Sequence, residues 1–365
     1  MGKNNKKILI LANNSGGLFR FRKELIAKMI SKGCKVYAST PYDDYVNDLK
    51  AIGVTLIKTR INRRGMNPIK DFKLLLDYFR IILNIKPDLI ITYTIKPNLY
   101  GGTVSRIMRI PYAINITGLG SAFQKENLIR KMIVKWYKVI CRNVKVVFFE
   151  NEGNKNYFNQ LNIVGHEKCC VLHGAGVNLK DFYFSDYPFS DNLIHFLFIG
   201  RIMKEKGIDE LFWAIKKIYE ENKKVILDVV GGYEDNYKDK IQELEDLGCV
   251  KYHGYQSDVR FFIKESHCFV LPSYHEGMAN TLLECGAMGR PLITSNIYGC
   301  KEAVCNNKNG YLVEIMNKED LLEKMITFIN LTHEKKKMMG KYSRTYIEKG
   351  FDKTQVVEKT IKEIF

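Results

Sequence analysis

Short apolar runs recur along the whole chain, each followed by a longer stretch in which apolar residues return every three or four positions. The runs read as buried strands and the stretches as amphipathic helices. In the first half the predicted strands are Lys7–Ala12, Lys35–Ser39, Thr55–Lys58, Leu89–Tyr93, Tyr112–Ile116, Lys145–Phe149 and Cys169–Leu172. Helical spacing covers Phe19–Ser31, Pro68–Asn84, Asn98–Met108 and Asn127–Cys141. The rhythm breaks over Asn178–Asn192, where turn residues carry no clear period. It then restarts with strands at His195–Ile199, Val225–Val230, Val250–Tyr252, Cys268–Leu271, Pro291–Thr294 and Tyr311–Val313, and a charged helical tail from about Lys318.

Alternating strands and helices predict parallel sheets covered on both faces. The expected architecture is α/β, two Rossmann-like doubly wound domains facing a cleft, with ligands at the carboxyl ends of the strands. The expected boundaries are 1–180, 181–345 and a C-terminal helix over 346–365 that packs back towards the first domain. A length of 365 residues accommodates two cores. No run of 18 apolar residues without charge occurs, so no membrane-spanning helix is expected. The nine cysteines show neither C-x-x-C nor metal-ligand spacing, which fits reduced thiols packed as small hydrophobes.

Charge changes the picture. Residues 1–180 hold 31 Lys and Arg against 11 Asp and Glu, a balance of +20, whereas residues 181–365 hold 26 against 29. The whole excess sits in the first half, which calls for an anionic partner there: a membrane surface, a diphosphate or a nucleic acid.

Three stretches carry candidate chemistry. In ILILANNSGGLFRF, Gly16 and Gly17 follow the first strand; they either let the backbone approach a phosphate or sugar, or make a tight strand-to-helix turn. In FLFIGRIMKEKGIDEL, Arg201 and Lys206 flank a strand-to-helix turn and can both reach a diphosphate. In SYHEGMANTLLECGAMGRP, Glu276 precedes a helix expected to begin near Thr281, capped by Ala279 or Asn280, with the amides of residues 277–281 open to an anion. Glu284 follows one helical turn later. Acceptor, anion cradle and second carboxylate come in the order a sugar nucleotide needs them. Standing alone, the two acids would read as a loop Glu and a helix-surface Glu in a salt bridge.

Together these stretches resemble the family 4 retaining glycosyltransferases of the GT-B fold. Glu276 and Glu284 match that family's E-x7-E signature within Leu271–Val304; Gly200, Arg201, Lys206 and Gly207 match its G-R-x(4)-K-G loop. Val229–Gly232 falls at its V-G-x-G strand end, and Asn14–Leu18 at its N-terminal glycine loop. TIKPNLYGG (Thr94–Gly102) and NITGLGSAF (Asn115–Phe123) are similar to the branch that builds capsular, O-antigen and lipid-linked oligosaccharides.

The resemblance implies transfer of a hexose or N-acetylhexosamine from a nucleotide diphosphate sugar, with UDP preferred, to a polyprenyl-diphosphate-linked glycan, with retention. Arg201 and Lys206 would hold the diphosphate, Glu276 the donor sugar and Glu284 the ribose. Gly277, Met278, Ala279, Asn280 and Thr281 would form the cradle, Gly254 and Tyr255 (after His253) the base pocket, and Gly16 and Gly17 the border of the reacting centre. No D-x-D triplet occurs, and neither metal nor other cofactor is expected. The chain departs from the family pattern at Thr117, where many relatives have His, at His275 for Arg and at Ala279 for Pro. Thr117 can donate a hydrogen bond but is no base at neutral pH; in this class the donor phosphate takes the acceptor's proton.

The basic half then reads as an acceptor domain, with Thr117, Arg63, Arg64 and Lys96 as acceptor-side candidates. Within it, Lys125–Arg142 interleaves basic residues with Ile, Met, Val, Trp136 and Tyr137 at helical spacing. Either an interfacial helix or an ordinary helix packed on the sheet has this pattern; the charge balance favours an anionic membrane surface. The expected location is cytoplasmic, peripheral on the inner face of the cytoplasmic membrane. The competing readings are a GT-B sugar-nucleotide epimerase and a basic nucleic-acid- or membrane-binding protein without catalysis. No nucleic-acid partner is expected, because no RNP, KH, zinc-finger or helix-turn-helix pattern accompanies the charge.

Overall fold

The computed structural model describes residues 5–62, 67–120, 123, 127–189, 193–221 and 224–365. The chain forms two compact units, Met1–Ala175 with Lys353–Phe365, and Gly176–Asp352.

The first unit is built on seven strands: β1 (Lys7–Leu11), β2 (Lys35–Thr40), β3 (Thr55–Lys58), β4 (Leu89–Tyr93), β5 (Tyr112–Ile116), β6 (Val146–Phe149) and β7 (Cys169–Val171). Their order is β3-β2-β1-β4-β5-β6-β7, all parallel, with Ile8 opposite Val36 on one side and Leu89 on the other. Between them run α1 (Ser15–Ser31), α2 (Val46–Ala51), α3 (Pro68–Ile85), α4 (Gly102–Ile107), α5 (Leu128–Cys141) and α6 (Glu152–Gln160). Asparagines start four of these helices: Asn14, Asn67, Asn127 and Asn151 each accept a bond from the backbone three residues on. Such a cap is worth about 1 kcal/mol and explains why each helix begins where it does. Leu74, Tyr78 and Ile82 of α3, Val104 of α4 and Ile133, Tyr137 and Ile140 of α5 share one core against the sheet. Leu18, Leu25, Ile26 and Met29 of α1 belong to the core on the other.

The second unit has β8 (Ile194–Ile199), β9 (Val225–Val230), β10 (Val250–Tyr252), β11 (Cys268–Leu271), β12 (Leu292–Ser295) and β13 (Gly310–Val313) in the order β10-β9-β8-β11-β12-β13, again parallel. Its helices are α7 (Ile208–Glu221), α8 (Lys238–Leu247), α9 (Arg260–Glu265), α10 (Asn280–Ala287), α11 (Lys318–Ile329) and α12 (His333–Phe351). A last helix, α13 (Lys353–Ile364), belongs to the first unit, where Val356, Val357, Ile361 and Ile364 join the α1 side of the core. In each sheet the strand order reverses once, between β1 and β4 and between β8 and β11. Ligand crevices of doubly wound sheets open at such switch points.

Three details differ from the sequence reading. Helix α1 starts at Ser15, so Gly16 and Gly17 lie in its first turn rather than in a loop before it; the Asn14 cap moves the start back. The expected helix over 98–108 is a π-turn, Pro97–Gly101, followed by α4. Residue 346 falls inside α12, which continues because Ser343, Ile347 and Phe351 are buried; the return to the first unit comes at Lys353. The irregular segment after Asn178 is fastened to the second unit: fully buried Arg290 donates to Ser185 Oγ at 2.6 Å and Asp186 O at 3.0 Å. All nine cysteines are unpaired.

Candidate active site

The second unit gathers its candidate residues around the switch between β8 and β11. Beyond β8 the chain passes Gly200 and Arg201 into a 3-10 turn, Lys204–Lys206, and reverses at Gly207 before α7. Gly207 has φ +69, and a Cβ there would stand 2.1 Å from Pro272 O. Only glycine lets this turn lie against the end of β11. Tyr274 N–H donates to Glu205 O at 2.9 Å, stitching the two loops together.

That stitching brings Lys206 onto Glu276. Lys206 Nζ donates to Glu276 Oε1, and Ser273 Oγ donates to the same oxygen at 2.9 Å. Both charged side chains are largely screened, at 18% and 12% exposure. Oε2 of Glu276 makes no hydrogen bond among the described residues. A carboxylate with one oxygen held by two donors and the other open is a fixed acceptor for a hydroxyl. The remaining residues of the loop rest on Gly299. A Cβ there would meet Glu276 O at 2.7 Å, and Ala279 N–H donates to Gly299 O at 2.8 Å.

Helix α10 begins at Asn280, with Ala279 as a cap position lacking any side-chain bond. The open amides expected over 277–281 are therefore fewer, because Ala279 spends its own on Gly299. The amides of Asn280 and Thr281 head the helix without a hydrogen-bond acceptor among the described residues, where the helix dipole favours negative charge. Asn280 Oδ1 is buried there without a partner among the described residues. Met278 and Ala279 are buried, and Glu284 lies one turn into α10, half-buried. Arg201 is largely exposed and pairs with Glu234 at 3.3 Å.

Beyond β9 and β10 a second cluster supports His253, Gly254 and Tyr255. Asp228 on β9 accepts from His195 Nδ1 at 2.8 Å and from His253 Nε2 at 2.7 Å. Burial acts to raise the Asp228 pKa, but the two imidazole hydrogen bonds outweigh it and leave the carboxyl below its usual value. Gly231, at φ +152, comes so close to Gly200 O that a Cβ would stand 1.8 Å away, and its N–H donates to Gly254 O at 2.8 Å. The segments after β8, β9 and β10 are thereby locked to one another. Tyr255 itself is exposed.

The first unit treats its candidates differently. Gly17 N–H donates to Asn14 Oδ1, and Ser15 N–H donates to Asp43 at 3.2 Å. The start of α1 thus already holds a cap and a carboxylate, so Gly16 and Gly17 serve the helix start. Lys96 is not a free cation: it pairs with Asp71 at 2.7 Å, both nearly buried. Burial, with the same carboxylate adding to it, pushes the Tyr100 phenol up to about 12. Asn98 bonds Thr92 Oγ1 and Asn115 O, tying the ends of β4 and β5 below Thr117, which is half-buried. Arg63 and Arg64 lie outside the described residues. The two aromatic residues of α5 lean on the core: Trp136 is half-buried, its Nε1 donating to Thr103 Oγ1 at 2.7 Å, and Tyr137 is buried.

The sequence reading missed four contributors. Asp228 and His195 sit on strands with no motif of their own, and Ser273 heads the Glu276 stretch without a signal that it bonds the carboxylate. The fourth is Arg22, which forms a buried 2.7 Å ion pair with Glu150 beyond β6 and stacks over Tyr93 at the end of β4. Among the described residues no group of three or more His, Cys, Asp or Glu side chains could hold a metal ion, and no helix is long and apolar enough to cross a membrane.

Comparison with known proteins gives the family and the fold. Residues 180–346 match the family described as glycosyl transferases group 1, and residues 7–151 match glycosyl transferase 4-like. The chain belongs to the glycosyltransferases, with one such domain in each half. It is similar to N,N'-diacetylbacillosaminyl-diphospho-undecaprenol alpha-1,3-N-acetylgalactosaminyltransferase of Campylobacter jejuni, 28% identical over 87% of this chain and 88% of that one. It is also similar to UDP-Gal:alpha-D-GlcNAc-diphosphoundecaprenol alpha-1,3-galactosyltransferase of Escherichia coli, 25% identical over 90% and 86%. Its fold is that of Anabaena HepE, crystallised with UDP and glucose, with a TM-score of 0.80 at 17% identity over 98% and 99% of the two chains. The fold class is thus GT-B, two parallel-sheet α/β units of seven and six strands.

Proposed function

We propose that this glycosyltransferase moves a hexose or N-acetylhexosamine from a UDP-sugar to a polyprenyl-diphosphate-linked glycan with retention, as part of surface polysaccharide or glycan assembly. The observation that carries the reading is the Lys206–Glu276–Ser273 cluster beside the start of α10, at the switch point of the second sheet.

In this reading the diphosphate lies against the amides of Asn280 and Thr281, with Lys206 and Arg201 as the nearby cations. Breaking the bond from the anomeric carbon to the diphosphate leaves charge on the leaving oxygen. Fixed cations and helix amides stabilise that charge without reorganising. Glu276 Oε2 accepts from a donor-sugar hydroxyl, while Lys206 and Ser273 hold its other oxygen in place. Glu284 accepts from the ribose, and the backbone of His253–Tyr255 borders the base. The new bond forms to an acceptor hydroxyl, whose proton passes to the departing phosphate oxygen, so neither metal nor protein base is required. The acceptor class is supported by the two relatives above, whose names specify undecaprenol-diphosphate substrates. The +20 balance of residues 1–180 suits an anionic acceptor at an anionic membrane. The protein would then work at the inner face of the cytoplasmic membrane without crossing it.

The test incubates the protein with uridine-, guanosine- and adenosine-diphosphate sugars, with and without a membrane extract carrying lipid-linked acceptors, and follows nucleotide diphosphate release. Release from a UDP-sugar that depends on the extract, with an α-linked product from an α-donor, is expected. Extract-independent conversion of the free sugar nucleotide would replace the transferase reading by an epimerase.

A further inference from the structure

Helix α3 carries an outward row that its role in the core does not explain. Ile69, Phe72, Leu76, Phe79 and Leu83 are all exposed, Ile69 by 83% and Phe72 by 61%. Their spacing of three and four residues places them within an arc of roughly 80° on the helix. The buried row of the same helix, Leu74, Tyr78, Ile82 and Ile85, faces the sheet. Two helix faces are therefore apolar, and only one is covered. Lys73 and Arg80 border the exposed row. Of the acids on α3, Asp71 is occupied by Lys96, and Asp77 lies 3.6 Å from Arg80.

Helix α5 repeats the arrangement. Its exposed residues include Leu128 (77%), Met132 (61%) and Val139, with the exposed Lys131 and Lys135 among them, and the helix contains no acid. Between α3 and α5 lies α4, with Ile107 exposed at its end. All three helices cover the same face of the first sheet, with α4 in contact with both α3 and α5, so their exposed apolar and basic residues lie on the same outer side.

We infer that the outer surface of α3, α4 and α5 docks on an anionic lipid bilayer, with the exposed row of α3 entering the headgroup–acyl boundary. Exposed apolar residues flanked by Lys and Arg are what such an interface selects: the apolar side chains leave water while the cations stay at the phosphates. A second copy of the chain is the other occupant that three-and-four spacing can suit. It would set Lys73 and Arg80 against their own counterparts within a unit of strong positive charge, whereas anionic lipid neutralises them. The inference deepens the membrane-borne acceptor reading by naming the contacting face.

The experiment measures binding of the full chain to phosphatidylcholine vesicles, with and without phosphatidylglycerol, by flotation. Neither acceptor lipid nor sugar nucleotide is present, so the outcome is independent of whether the transferase reading holds. Binding that requires phosphatidylglycerol and weakens with salt is expected. The Phe72→Ser/Leu76→Ser pair should weaken it by about tenfold or more. The Ile69→Ser/Leu83→Ser pair should do the same, and Lys131→Gln/Lys135→Gln should flatten the salt dependence. All six positions are solvent-facing, so melting temperatures should stay within a few degrees of wild type; if one serine pair melts lower, the other decides. Absence of wild-type binding, or undiminished binding by the folded serine variants, overturns the inference. So does a wild-type dimer that the same serine pairs convert to monomer.

Discussion

Lys206 Nζ and Glu276 Oε1 share a hydrogen bond although 70 residues separate them, because the loops after β8 and β11 meet where the sheet order reverses. The pair is screened from solvent, so removing one partner leaves the other charge poorly compensated. If its role were only structural, exchanging both residues for Met would be nearly neutral for activity. If it holds donor and leaving group, Lys206→Ala and Glu276→Ala should each lower kcat by about 100- to 1000-fold. The double Met variant should be as inactive as either single variant while retaining its melting temperature. Nucleotide-sugar turnover and thermal unfolding on the same preparations separate the two cases.

Asp228 joins His195 and His253 in one cluster, and His253 begins the segment assigned to the nucleotide base. Asp228→Asn keeps the shape but presents an NH2 to one of the imidazoles. Nucleotide affinity should fall about tenfold, the usual size for losing a hydrogen bond to a charged group, with kcat at saturating donor within threefold of wild type. Calorimetric titration with UDP reads this directly. An unchanged Kd would detach the cluster from the base site.

Buried His267 makes stability depend on pH. Burial, aided by nearby His195 and cationic side chains, lowers its pKa from 6.5 to about 3. Its Nδ1 accepts from His195 N–H at 3.1 Å, and Nε2 has no partner among the described residues. Between pH 6.5 and about 3 the unfolded chain binds a proton there that the folded chain refuses. Stability therefore falls as pH drops through this window, by up to about 1.4 kcal/mol per unit. Asp228 acts lower: its depressed pKa contributes stability above the unfolded value, lost as pH falls through the folded one. His267→Asn keeps an acceptor and removes the titration. Its melting temperature should decline less than wild type between pH 6.5 and 4.5, and parallel curves would refute this.

Much of the fold was legible because its signals are local. Apolar runs such as Val225–Val230 and Cys268–Leu271 coincide with the strands, and buried parallel strands need little else to declare themselves. The Gly207 turn and the Glu276 loop were visible as well, since glycines and carboxylates at fixed spacing carry their constraint in the sequence. What stayed hidden depends on partners distant in the chain. Nothing near Lys96 announces Asp71, and nothing near Ala279 announces that Gly299 consumes its amide. Helix faces were legible only in part. The periodicity of α5 marked an amphipathic helix, but Tyr137 turned out to be buried and Trp136 half-buried against the core, and the second apolar row of α3 became visible only once the first was seen to be covered.

Arg290 shows how such distant partners can be tested. It is fully buried, yet its guanidinium forms no ion pair with a carboxylate among the described residues. Its nitrogens donate to backbone oxygens of Ile263 at 2.8 Å, Gly289 at 3.2 Å, Lys264 at 3.2 Å and Asp186 at 3.0 Å, and to Ser185 Oγ. Burial lowers its pKa to about 10, still well above neutrality, so a charge is spent on carbonyls to fasten residues 185–186 to the end of α9 and the turn before β12. A planar fork with five donors can do this; an ammonium cannot reach the same oxygens. Arg290→Lys should therefore lose nearly as much stability as Arg290→Met, about 3 kcal/mol each, because both leave several buried carbonyls without donors. Chemical denaturation of both variants checks it. If Lys restored wild-type stability, charge alone would account for the site, and the bridging geometry would not matter.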